Sequence, residues 1–153
     1  MVAPVLTVVV GYLLGTLPTA LLVGKRAGVD PRRAGSGNPG ASNVYRTVGR
    51  RAASIVLGVD VVKGAAAAGL GWGLGGHTLG LVAGAAAVVG HSFPIGRRGG
   101  KGVATCAGML VVLIPVVQAV DARQQLPRLS LEFQWAHRVA GVRPQDSEQY
   151  GSA

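Results

Sequence analysis

From Val2 to Val23 the chain runs for 22 residues without a charged side chain. A helix of about 20 apolar residues crosses the hydrocarbon core of a bilayer, so this stretch sets the solvent in which the chain folds. A secretory signal would carry positive charge before its apolar core and a small-residue cleavage site after it. Here nothing basic precedes the run and Lys25-Arg26 follows it directly. That order predicts an uncleaved span whose C-terminal end lies in the cytoplasm. The composition agrees. Charged residues are 14% of the chain, against about 25% in soluble domains, and mean hydropathy is +0.42.

Three further apolar segments follow. Ala52–Leu70 is rich in Ala, Val and Gly and contains Asp60 and Lys63. Three residues apart on a helix, these two share a face. They read as a self-neutralising pair or as a polar face lining a site, since ionisable groups within spans turn toward protein or water. An uncharged link, Trp72–His77, leads to Thr78–Val89. This segment is short for a crossing unless it is tilted, extended into the link or re-entrant. Val103–Val120 closes the pattern, with a kink expected at Pro115. The fold class is therefore all-α: a polytopic integral membrane helical bundle of about four apolar segments. It occupies residues 1–120. Residues 121–153 form a polar tail, with disorder as one reading, in which four arginines balance four acids.

The net charge of +9 would suggest nucleic acid in a soluble protein, but its placement argues otherwise. Seven basic residues lie between Lys25 and Arg51, and three more between Arg97 and Lys101. No aromatic platform for stacking bases accompanies them. Nucleic acid is therefore not an expected partner, whereas membrane lipid is. Two crossings separate the clusters, which places both on the cytoplasmic side under the positive-inside rule. The single cysteine, Cys106, excludes an internal disulfide and reads as a small apolar filler. His77, His91 and His137 lack metal-ligand spacing, so no metal is expected.

The two basic loops carry unusual backbone. "GSGNPGASN", residues 35–43, favours positive φ and side-chain-to-backbone bonds, and its amides could form an anion-binding nest. Arg32, Arg33 and Arg46 bracket it, and Ser36, Ser42 and Thr47 add hydroxyls. "GHSFPIGRRGGKGVAT", residues 90–105, places Lys101 among Gly99, Gly100 and Gly102, ahead of a helix whose N-terminus attracts anions. It is not a nucleotide P-loop, because Ile95 and Gly102 stand where that motif needs glycine and Ser or Thr. Either loop alone could be a topological anchor. Together they point to a phosphate-bearing substrate, or two, at one membrane face. His91 opens the second loop as a buried hydrogen-bonding residue or as a contact for phosphate or a proton. His77 falls at the opposite face.

"GSGNPGASNVYRTVG" (35–49), "GHSFPIGRRGGKGVAT" (90–105) and "DVVKG" (60–64) resemble the motifs of the bacterial membrane acyl-phosphate:glycerol-3-phosphate acyltransferases, and the likeness covers residues 5–117. The resemblance implies an all-α bundle in the bacterial plasma membrane, with a cytoplasmic active site. It implies transfer of a fatty acyl group from acyl phosphate to the 1-hydroxyl of glycerol-3-phosphate, yielding lysophosphatidate and phosphate in phospholipid synthesis, without cofactor or metal. By the same resemblance Ser36, Asn38, Arg46 and Lys101 match catalytic positions. Gly40, Ser42, Asn43, His91, Gly99, Gly100, Gly102 and Thr105 match substrate- and phosphate-binding positions.

The family's third motif, with a histidine and an asparagine, is not matched. His137-Arg138 is similar in part, but Ala140 stands where the asparagine is expected. A divergent ending, a truncation and a shifted reading frame all fit that pattern. Two other functions remain open on these residues: an inactive phosphate-binding relative or helper subunit, and an anion transporter built around Asp60 and Lys63.

Overall fold

The structure, a computed structural model, describes residues 2–115. The described residues are helices joined by loops. In chain order they are α1 (Val2–Gly15), α2 (Thr19–Arg26), α3 (Ala41–Thr47), α4 (Arg50–Ser92) and α5, an apolar helix over Val103–Pro115. Two stretches are long and apolar enough to cross a bilayer, Val2–Arg26 and Arg50–Ser92. The polar tail expected from Asp121, the kink after Pro115 and the His137 region lie outside the described residues.

The first span is broken, which the uncharged run did not predict. Pro18 has no N–H to donate and its ring clashes with the preceding turn, so α1 stops at Gly15 and α2 restarts at Thr19. The break leaves backbone carbonyls outside the helical ladder, and in a membrane each needs a partner. Lys63 Nζ donates to the Leu17 carbonyl at 2.9 Å, and Arg97 donates to that of Thr16 at 3.3 Å. Two cations distant in sequence thus fasten the break.

The second and third apolar segments are one helical run, α4, interrupted by non-helical backbone at Gly75 and Gly76 alone. The expected six-residue link is therefore two residues long, and the flanking helices extend into it. The two arms fold back on each other. A side chain at Gly71 would overlap the backbone of Leu79 and Gly80, and one at Gly80 would meet the Ala68 carbonyl. The second arm also takes α1 at van der Waals range, Gly11 against Ala83 and Gly15 against Ala87. The first arm takes α5 where Gly64 meets Thr105. Small residues let backbones approach where lipid supplies no hydrophobic drive for helix association. The glycine- and alanine-rich runs are packing faces, as their composition suggests.

Because α4 returns on itself, its ends, Arg50 and Ser92, lie at the same end of the bundle. Both basic loops are at that end. A small apolar cluster of Ala20, Val44, Ala53 and Val56 packs α2, α3 and the start of α4 beneath the first loop. A second cluster, Ala68, Met109 and Leu113, seats α5 against α4.

Candidate functional site

The first loop is wound around one buried side chain. Asn43, 2% exposed, accepts from the Ser36 N–H through Oδ1 at 2.9 Å and donates through Nδ2 to the carbonyls of Pro31 and Ala34 at 2.7 and 3.0 Å. Both its N–H groups are spent inside the loop. Backbone bonds consume further amides, Gly37 N–H to Ala34 and Gly40 N–H to Asn38. The anion nest expected from this composition does not form from those amides. What forms is a rigid wall. Asp30 begins it, accepting from the backbone N–H and the guanidinium of Arg32. Those bonds hold the Asp30 carboxyl at a pKa of about 2, below its usual 3.8.

The second loop is tied from outside. Tyr12 Oη donates to the Phe93 carbonyl at 2.9 Å, Arg97 reaches Thr16, and the Gly100 N–H donates to the His91 carbonyl at 3.1 Å. Gly102 turns the chain into α5 with a φ of +73°, a conformation costly to any side chain. The first helical bond of α5 runs from the Cys106 N–H to the Gly102 carbonyl. The amides of Val103, Ala104 and Thr105 precede that ladder, and such groups attract anions.

Between the loops lies a cleft of about 350 Å³. Its polar lining is Asn38, Ser42, Asp60, His91 and Lys101, beside the bare backbone of Gly40 and Gly102. Its other wall is apolar: Leu57 and Val61 from α4, Val103, Ala104 and Ala107 from α5. A second cavity of about 30 Å³, the size of one water, sits at the break in the first span. Gly99, Gly100, Arg97 and Arg98 line it, together with Thr19, Pro39, Asp60 and His91.

The structure thus brings Asn38, Lys101, Gly40, Ser42, His91 and Gly102 to one cleft and Gly99 and Gly100 to its neighbour. It does not bring the rest there. Ser36 and Arg46 are exposed and line neither cavity. Asn43 is the brace of the first loop. Thr105 is 0% exposed, in the α4–α5 seam rather than the cleft. Residues that motif reading missed are Thr19, Leu17 and Arg97. The signal for them was Pro18, since a proline inside a span announces carbonyls in need of donors.

Asp60 and Lys63 are each 3% exposed and 2.7 Å apart. The buried carboxylate is thus held by a buried ammonium as an ion pair. His91 Nδ1 stands 3.7 Å from Asp60 Oδ1. Among the described residues no three His, Cys, Asp or Glu side chains gather as metal ligands would.

The chain is thus a helical membrane protein with a cleft that sets Lys101, Asp60, His91 and bare glycine backbone beside apolar side chains. Comparison with known proteins agrees. The family model described as glycerol-3-phosphate acyltransferase matches residues 5–122. Glycerol-3-phosphate acyltransferase 2 of Moorella thermoacetica is 48% identical over 114 residues, 72% of this chain and 59% of that protein. Glycerol-3-phosphate acyltransferase of Rubrobacter xylanophilus is 49% identical over 116 residues, 74% of this chain and 58% of that protein. The crystal structure of PlsY (YgiH), an integral membrane glycerol 3-phosphate acyltransferase, in its glycerol 3-phosphate form superimposes with a TM-score of 0.70 at 36% identity. The match covers 75% of this chain and 60% of that one. The lysophosphatidic acid form gives a TM-score of 0.68 at 35% identity. The chain belongs to the glycerol-3-phosphate acyltransferase family, as the two loops imply. It spans about three fifths of the length of the relatives it matches.

Proposed function

We propose that this chain contributes the site of acyl transfer from acyl phosphate to the 1-hydroxyl of glycerol-3-phosphate, at the cytoplasmic face of a bacterial plasma membrane. The observation that carries this reading is the two-sided cleft. One wall offers Lys101, Asn38, Ser42 and the first amides of α5, and the other offers Leu57, Val61, Val103 and Ala107. Soluble phosphate esters need only the first wall. An acyl phosphate needs both.

The reaction asks little of the protein beyond placement. The hydroxyl oxygen attacks the acyl carbon, the bond from that carbon to the phosphate oxygen breaks, and phosphate leaves with the electron pair. The departing phosphate can take the hydroxyl proton, which balances the step. Lys101 and the α5 amides lie where charge grows on the leaving group, and such preorganised donors are worth most in a site shielded from water. Holding both reactants in one cleft supplies the rest by proximity. Ser36 and Arg46 act in this reading from the exposed side of the first loop, toward the second phosphate.

Transport is the less favoured reading, because Asp60 is paired with Lys63 and Lys63 is tied to the Leu17 carbonyl. The test is purified protein in lipid vesicles given palmitoyl phosphate and labelled glycerol-3-phosphate. Labelled lysophosphatidate and equimolar phosphate are expected. Glycerol-3-phosphate bound without either product would identify a binding relative instead. Labelled ester accumulating unchanged inside the vesicles would identify a transporter.

A further inference from the structure

Pro18 brings no N–H to the first span, and the Thr19 N–H turns to the Leu17 carbonyl at 2.9 Å. The carbonyls from Leu14 to Leu17 thereby lose the donors that a continuous helix would give them. That of Leu14 takes the Leu17 N–H at 3.4 Å, that of Thr16 takes Arg97, and that of Leu17 takes Lys63 besides Thr19. The Gly15 carbonyl accepts no hydrogen bond among the described residues, and Gly15 is buried. Across the break, Thr19 is 8% exposed and its buried Oγ1 has no hydrogen-bond partner. Gly15 and Thr19 both line the cavity of about 30 Å³ at the break. So does Gly99, whose N–H makes no hydrogen bond among the described residues.

We propose that this cavity is a water site, in which one resident water accepts from the Thr19 hydroxyl and donates to the Gly15 carbonyl. It is the third fastening of the break, beside Lys63 and Arg97. A buried polar atom without a partner calls for one. A polar cavity holds a water once it offers about 10–15 Å³ and two to four polar partners, and this one meets both conditions. Thr19 and Gly99 supply donors, Gly15 an acceptor. The charges around the cavity select a neutral occupant. Arg97 and Arg98 line it and repel a metal ion; Asp60 lines it and repels an anion. The Lys63 charge is already matched by that of Asp60. A phosphate group is too large for a space of one water, so the site is separate from the substrate cleft. Both arginines are exposed, so the water exchanges with solvent on their side. The inference concerns the break alone and stands apart from the acyl-transfer reading.

The experiment is a high-resolution crystal structure of the full-length protein grown in bromide salt. A density peak is expected within hydrogen-bond distance of both Thr19 Oγ1 and the Gly15 oxygen, with no anomalous signal from bromide. Thr19→Val keeps the shape of the side chain and removes its hydroxyl. The peak should then be lost, and the melting temperature in detergent should fall by about 2–4 °C, the shift that one lost hydrogen bond gives in a chain of this size. Thr19→Ser keeps the hydroxyl and should keep the peak, which tests the site even if Thr19→Val does not fold. Three results overturn the proposal. One is a bromide signal in the cavity, which would make the site an anion site. Another is a Thr19 hydroxyl bonded directly to the Gly15 carbonyl with no density between them. The third is Thr19→Val protein as stable as the parent.

Discussion

The two glycine-rich loops look alike in composition and are built in opposite ways. The first, between Asp30 and Asn43, satisfies itself. Asn43 and the turns around it take up the amides of Ser36, Gly37 and Gly40, and the loop becomes a wall. The second, between Phe93 and Gly102, is anchored by residues of α1 and α4 and leaves the opening amides of α5 outside any ladder. The difference teaches that glycine and asparagine content does not say whether backbone donors are available. What decides is whether a side chain inside the loop claims them. A wall and a receptor facing each other make a cleft, whereas two receptors would leave nothing rigid to define its width.

The comparison breaks most sharply at Asn43. Asn43→Ala removes three hydrogen bonds at once and strands the buried carbonyl of Pro31 together with the part-buried Ser36 N–H and Ala34 carbonyl. Each stranded group costs about 1–3 kcal/mol, and partial rehydration of the loop brings the expected total to about 3 kcal/mol. Thermal unfolding in detergent should show the loss, and activity should vanish with the wall. Asn43→Asp keeps the acceptor and loses both donors, so it should fall between. A variant that keeps its melting temperature but loses only phosphate affinity would mean that Asn43 is a ligand and not a brace.

Lys101→Met tests the receptor. Lys101 is exposed at the cleft and makes no ion pair or hydrogen bond with the described residues, so its removal should leave stability within error. A hydrogen bond to a charged group is worth about 2 kcal/mol, which is roughly thirtyfold in kcat/KM for glycerol-3-phosphate acylation. The contrast with Asn43→Ala is the point: one variant loses stability and activity together, the other loses activity alone. Equal behaviour would erase the distinction between wall and receptor.

Much of this was legible before any coordinates. Hydropathy and the placement of Lys25, Arg26 and Arg97–Lys101 foretold a helical membrane protein with both loops at one end. The spacing of Asp60 and Lys63 put them on one face, as a pair or as the lining of a site, and they pair while Asp60 also lines the cleft. What stayed hidden depends on long-range partners. Nothing near Asn43 in sequence reveals that its amide will meet carbonyls 9 and 12 residues upstream. Nothing near Thr105 reveals that Gly64 lets α4 close over it. The break in the first span is written in Pro18, which interrupts a run whose length and lack of charge alone predict one continuous helix. The link at Gly75 and Gly76 is shorter than expected because the helix runs on through Trp72, Gly73 and Leu74, exposed though they are.

The smallest expected effect lies at the outer edge of the wall, where Asp30 meets Arg32. The carboxylate accepts from the Arg32 side chain and, less strongly, from its backbone N–H, and these bonds lower its pKa from 3.8 to about 2. A group whose folded pKa is depressed contributes stability that is present above the unfolded value and lost as pH falls through the folded one. The window here is therefore from about pH 4 down to about pH 2, and neutral pH lies outside it. Both side chains reach solvent, with 36% of Arg32 and 25% of Asp30 exposed, so water and salt screen the pair. Asp30→Asn should leave the melting temperature at pH 7 almost unchanged. It should remove only the acid-dependent part of the loop's loosening, read by hydrogen exchange at the Arg32 amide between pH 4 and pH 2. A marked loss at pH 7 would mean that the wall is braced from its rim and not from Asn43, and the contrast between the two loops would have to be redrawn around Asp30.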